Sequence, residues 1–106
     1  MNQSFYVRDS QIHGRGCFTT QLLRPSTIFR CPHFQVSTET RTSVTTENGI
    51  YELYSPFKFM NHSPDPVAEL YQTDDGGFEL YILRRVRRDE EITIDYDPNC
   101  VPEGRN

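Results

Sequence analysis

Short runs of β-branched and aromatic residues recur along the chain, separated by clusters of turn-forming residues. Ser4 to Arg8, Cys17 to Thr20, Thr27 to Val36, Val67 to Thr73, Phe78 to Val86 and Glu91 to Tyr96 each read as a strand, which predicts a mostly β fold. Asp74-Asp75-Gly76-Gly77 lies between two of these runs and predicts a hairpin, because glycine tolerates the positive φ of tight β-turns. In the last run Ile92, Ile94 and Tyr96 alternate onto one face, and Thr93 and Asp95 take the other. Ile50-Tyr51-Glu52-Leu53-Tyr54 is too brief for periodicity to separate a strand from a single helical turn.

Between the strand runs, Ser37 to Asn48 is rich in serine and threonine with few large apolar side chains, and reads as an exposed insertion occupying about residues 37–56. The tail, 98–106, has the composition of a loop, and no internal repeat is visible. A chain of 106 residues accommodates one small domain, here 1–106. Hydrophobic residues are 35% and charged residues 25%, a polar balance, while an aromatic share of 12% argues for a folded chain with a lean core.

The formal charge of −4 disfavours a sequence-independent grip on nucleic acid and suits a basic peptide partner better. Direct nucleic-acid binding is therefore not expected. Cys17, Cys31 and Cys100 form an odd set without C-x-x-C spacing, so neither a disulfide framework nor a self-contained zinc site is implied. The amino terminus shows no leader pattern and no 18-residue apolar run occurs, so a soluble, intracellular protein without membrane association is expected.

Three places could carry chemistry. His13-Gly14-Arg15-Gly16 sits between the first two strands, and its glycines permit either an ordinary tight turn or close approach of a ligand to the main chain. Phe59-Met60-Asn61-His62-Ser63-Pro64-Asp65-Pro66 sets an amide and an imidazole after a short apolar run; by itself it is equally a structural loop. His13, His33 and His62 show no ligand spacing, and no metal site is expected. Tyr96 ends the last strand run, where its phenol either packs or offers a hydrogen bond at the edge of an apolar wall.

Taken together and in this order, Gly14-Arg15-Gly16, Asn61-His62-Ser63 and Glu90-Glu91-Ile92-Thr93-Ile94-Asp95-Tyr96 resemble the three motifs of the SET-domain protein lysine methyltransferases. The resemblance spans roughly Phe5 to Asp97 and implies a fold of several small curved sheets with knot-like threading of the C-terminal segment. It implies S-adenosylmethionine as cofactor, met by Gly14, Arg15 and Gly16 and by Asn61 and His62, with Tyr96 as the catalytic tyrosine. It further implies methyl transfer to a lysine of a basic protein such as a histone. Ile94, two residues before the tyrosine, falls where family members restrict the number of methyl groups; an aliphatic side chain there leans towards di- or trimethylation. The family often closes its lysine channel with an aromatic residue after the tyrosine, and Asp97 to Asn106 contain none. Tyr51 or Tyr54, a second subunit in a homodimer, or the substrate would then close it. A non-catalytic SET-like module that binds a peptide is the alternative reading.

Overall fold

The computed structural model describes residues 4–96. Ten strands form three small sheets. The first has β1 (Phe5–Asp9), β2 (Arg15–Thr19), β10 (Glu91–Ile94) and β7 (Asn61–His62) side by side in that order. The second orders β3 (Ile28–Cys31), β9 (Phe78–Ile82) and β8 (Ala68–Gln72), and the third β4 (His33–Val36), β6 (Gly49–Leu53) and β5 (Val44–Thr46). Phe57–Phe59 adds one 3₁₀ turn.

The β8–β9 hairpin shows how the pattern becomes structure. Phe78, Leu80 and Ile82 recur at period two and are buried at 1%, 0% and 0% exposure, facing Leu70 and Ala68 across the pair. Its turn closes with Thr73 N–H donating to Gly77 O at 2.8 Å and Gly76 N–H donating to Thr73 O at 3.0 Å, and Gly76 sits at φ 89°. Asp75 fastens it: Thr73, the Gly77 N–H and Arg30 all donate to its carboxylate and hold its pKa well below the usual range.

The expected strand from Thr27 to Val36 is two strands because Pro32 divides it. Proline brings no N–H to a ladder. Pairing with β9 stops at Cys31, and from His33 the chain pairs instead with β6. Phe78 to Val86 likewise ends as a strand at Ile82, with Val86 returning only as an isolated antiparallel bridge to Leu23.

The segment expected as an insertion, about 37–56, supplies β5 and β6, two of the three strands of the third sheet. Ile50-Tyr51-Glu52-Leu53 lies in a strand, and Tyr51, Glu52 and Leu53 are buried. Glu52 accepts hydrogen bonds from the Thr40 and Thr42 hydroxyls, the latter at 2.8 Å, so the polar residues that suggested a solvated loop also satisfy a buried carboxylate.

In β10 the expected two-faced alternation is covered on both sides: Ile92, Thr93 and Ile94 are 0%, 6% and 5% exposed. The strand is central, between β2 and β7, and Thr93 meets its polar requirement by accepting the Val67 N–H at 3.2 Å. The expected knot-like threading and the 98–106 tail lie outside the described residues, as does Cys100.

Candidate active site

The site forms where β7 runs parallel to β10, with Asn61 opposite Thr93 and His62 opposite Ile94. Ser63 N–H donates to Ile94 O at 3.0 Å and extends that pairing. Residues thirty apart in sequence thus lie on adjacent strands, and β2 brings the glycine-flanked loop to the other edge of β10.

On that side the connection from β1 to β2 is folded back by Ser10 N–H to Gly14 O at 2.8 Å, with Gly14 at φ 46°. The Ser10 hydroxyl accepts the Ile12 N–H at 2.9 Å and donates to the Glu91 carboxylate, whose oxygens lie 2.8 and 2.9 Å away. The buried Asn61 amide reaches the same place. Its Nδ2 is 3.1 Å from His13 O, 3.1 Å from Arg15 O and 2.8 Å from Glu91 Oε2, so two protons are divided among three acceptors. Gly16 is required here, since a Cβ would collide with the Glu91 carboxylate and press on Ser10 at 3.1 Å. The result is a concentration of acceptors, two main-chain carbonyls and a carboxylate, beside an exposed Arg15.

His62 accepts the Tyr96 N–H through Nδ1 at 3.0 Å, which places the ring proton on Nε2. The Asp95 carboxylate is 3.6 Å from the same nitrogen, and the His62 and Tyr96 rings are 5.2 Å apart. The imidazole therefore fixes the backbone at the point where the chain leaves β10. From there Tyr96 turns its side chain so that its hydroxyl donates to Met60 O at 2.8 Å. Burial, and secondarily the Glu91 carboxylate, raise the Tyr96 pKa above its ordinary value, so the phenol stays protonated throughout the neutral range.

Tyr96 stands at a cavity of about 120 Å³ walled by Leu53, Phe57, Met60, Leu70 and Ile94, with Arg41 to Val44 and Lys58 completing the rim. An apolar pocket with one phenol at its wall suits an aliphatic chain ending in a hydrogen-bonding group.

A SET-domain family profile matches residues 26–97. The chain belongs to the SET-domain family. Among solved structures it is similar to the crystal structure of a Plasmodium falciparum protein described as a "putative histone methyltransferase". The two share 19% identity with a TM-score of 0.72 over 91% of this chain and 95% of that chain, a likeness of fold. Comparison with curated protein sequences gave no match. SET-domain proteins are typically methyltransferases that use S-adenosylmethionine.

Within this SET fold, Gly14, Arg15, Gly16, Asn61 and His62 come together around β2, β10 and β7, and Tyr96 is joined to them through His62. Of the residues expected along the substrate channel, Ile94 lines the cavity by Tyr96. Tyr51 and Tyr54 do not. Tyr51 is buried with its hydroxyl donating to Asn48 O at 3.2 Å and its ring against His33 and Phe78. Tyr54 is exposed against Phe34. The same chain segment contributes instead through Arg41 to Val44.

Glu91 and the Met60 carbonyl were not anticipated from sequence. A carboxylate opening a strand of otherwise buried residues is a signal for Glu91, since it needs donors; a main-chain carbonyl leaves no trace in residue type.

Proposed function

We propose that this SET-domain chain is an S-adenosylmethionine-dependent protein-lysine N-methyltransferase acting on a basic protein, with histones as the first substrates to test. The observation that carries this reading is the Tyr96 hydroxyl, donating to Met60 O at 2.8 Å at the wall of an apolar cavity, just beyond the strand pair that holds Asn61.

The residues around Gly16 fit the amino-acid end of the cofactor. Gly16 lets its backbone lie against the Glu91 carboxylate, the His13 and Arg15 carbonyls and Glu91 can accept from an ammonium, and Arg15 can meet a carboxylate. When bound, the cofactor supplies an electrophilic methyl group.

The rest falls to the chain's own groups. With its proton committed to Met60 O, the Tyr96 oxygen keeps lone pairs to accept an N–H of the incoming lysine amine and hold its own lone pair towards the methyl. The apolar wall of Leu53, Phe57, Leu70 and Ile94 favours the uncharged amine, which is the nucleophilic form. Alignment of the two reactants in a narrow channel is worth on the order of 7–11 kcal/mol. Because the Tyr96 pKa is raised, the phenol acts as an orienting hydrogen-bond partner and not as a general base at neutral pH.

Isothermal titration with S-adenosylmethionine, followed by methyl transfer to mixed histones and Lys-rich peptides, tests this. Binding is expected, and Tyr96→Phe is expected to abolish transfer with cofactor affinity nearly unchanged. Absent cofactor binding would remove the enzyme reading. Cofactor binding without transfer in the wild-type chain would favour a non-catalytic peptide-binding module.

A further inference from the structure

The net charge of −4 conceals a local excess of the opposite sign. Between β9 and β10 the chain places Arg84, Arg85, Arg87 and Arg88, all exposed, and with Asp89 and Glu90 they line an open depression of about 640 Å³. A fifth arginine, outside the depression's lining, is set opposite one of them by the isolated bridge. Leu23 and Val86 exchange both backbone hydrogen bonds, at 2.8 and 3.0 Å. The register is that of β3 and β9, where Ile28 and Tyr81 are paired. Arg24 therefore falls opposite Arg85. Leu23 and Val86 are buried, so by strand alternation the side chains of Arg24 and Arg85 project together on the outer face.

Two like charges opposite each other across a strand pair are destabilising unless an anion relieves them. Arg84 is paired with Glu90 at 2.7 Å and Arg88 with Asp89 at 3.8 Å. Among the described residues, Arg24, Arg85 and Arg87 enter no close ion pair, although Arg87 still acts at longer range on the Glu90 carboxylate.

We propose that this surface binds the phosphate backbone of a double-stranded nucleic acid. The basic residues are all arginine, whose planar fork matches phosphate oxygens in pairs. The depression is lined by charged side chains alone, whereas a protein interface needs an apolar centre inside its polar rim. This departs from the expectation drawn from net charge, which averages over the surface: elsewhere the acidic chain repels a polyanion, so contact is confined to this face. The inference is independent of methyl transfer.

Fluorescence anisotropy of a labelled duplex of about 20 base pairs, at about 50 mM salt and up to about 100 μM protein, tests it. Binding should weaken with salt along a log–log slope of about −3, one phosphate for each arginine outside a close ion pair. Arg85→Glu/Arg87→Glu should lower affinity about tenfold or more and flatten the slope by about two, with an unchanged melting temperature showing that the exposed substitutions leave the fold intact. Arg24→Glu, on the facing segment, should weaken binding in the same direction. Absence of binding, undiminished binding by both variants, or equal binding of poly-glutamate would each overturn the proposal. So would binding of phosphatidylserine–phosphatidylcholine vesicles without binding of the duplex.

Discussion

The Glu91 carboxylate and the Asn61 amide meet at 2.8 Å, and through that contact the opening residue of β10 fixes the side chain of β7 that spans the loop before β2. Asn61→Asp would set two carboxylates against each other at a nearly buried position. At neutral pH it should cost about 2–4 kcal/mol of stability, more than Asn61→Ala, because charge repulsion adds to the lost donor. The repulsion raises the folded-state pKa of the pair, so the penalty is full above that raised value, eases as the pH falls through it and one group is protonated, and is gone by about pH 4, where the unfolded chain protonates as well. Urea unfolding of both variants across this range checks it; a gap between them that ignores pH would contradict the repulsion.

Gly16→Ala is expected to cost about 1–3 kcal/mol, since its Cβ meets a carboxylate that Ser10 and Asn61 hold in place. The same substitution in a Glu91→Ala background should cost measurably less. A double-mutant cycle by denaturant unfolding reads the coupling, and additive effects would show that Glu91 is not the obstacle.

These contacts mark where the sequence was legible and where it was not. Strands such as β8 and β9 were readable because apolar residues at period two and a glycine turn say the same thing locally. The Ser37 to Asn48 stretch holds no buried residue, in keeping with its composition, but composition did not reveal that Thr40 and Thr42 also bond the buried Glu52. The motif residues Gly16, Asn61 and Tyr96 stood out by type, but the contacts joining Asn61 to Glu91 and Tyr96 to Met60 O are long-range and depend on a parallel strand pair that periodicity does not encode.

Ile94 offers a test of the cavity by product rather than rate. Ile94→Phe fills space beside Tyr96 and should shift the product towards monomethyl-lysine, whereas Ile94→Val should keep the wild-type distribution and cost only about 0.5–1.5 kcal/mol of stability. Mass spectrometry of a methylated peptide distinguishes them. An unchanged product in Ile94→Phe would mean that another wall of the channel sets the methyl count.

Cys17 and Cys31 should be inert in the native protein. Burial raises both thiols, Cys31 to about 12 and Cys17 further still with help from Cys31 and Glu91, against an ordinary value of 9.0. Peptide mapping after iodoacetamide treatment should find neither modified until the chain is unfolded. Because the folded-state values lie above the unfolded ones, the stability they contribute is intact below pH 9.0 and declines as the pH rises towards the folded values, which a melting series in alkaline buffers would show.

Glu52 ties Thr40 and Thr42 to β6 from one side of the same short segment, Arg41 to Val44, that closes the cavity near Tyr96 on the other. The acceptor cluster under Gly16 hangs on separate strands altogether. Under the proposed function, substitutions within residues 40 to 44 that keep two hydroxyls for Glu52 would change the wall of the cavity beside Tyr96 while leaving the contacts among Gly16, Asn61 and Glu91 as they are.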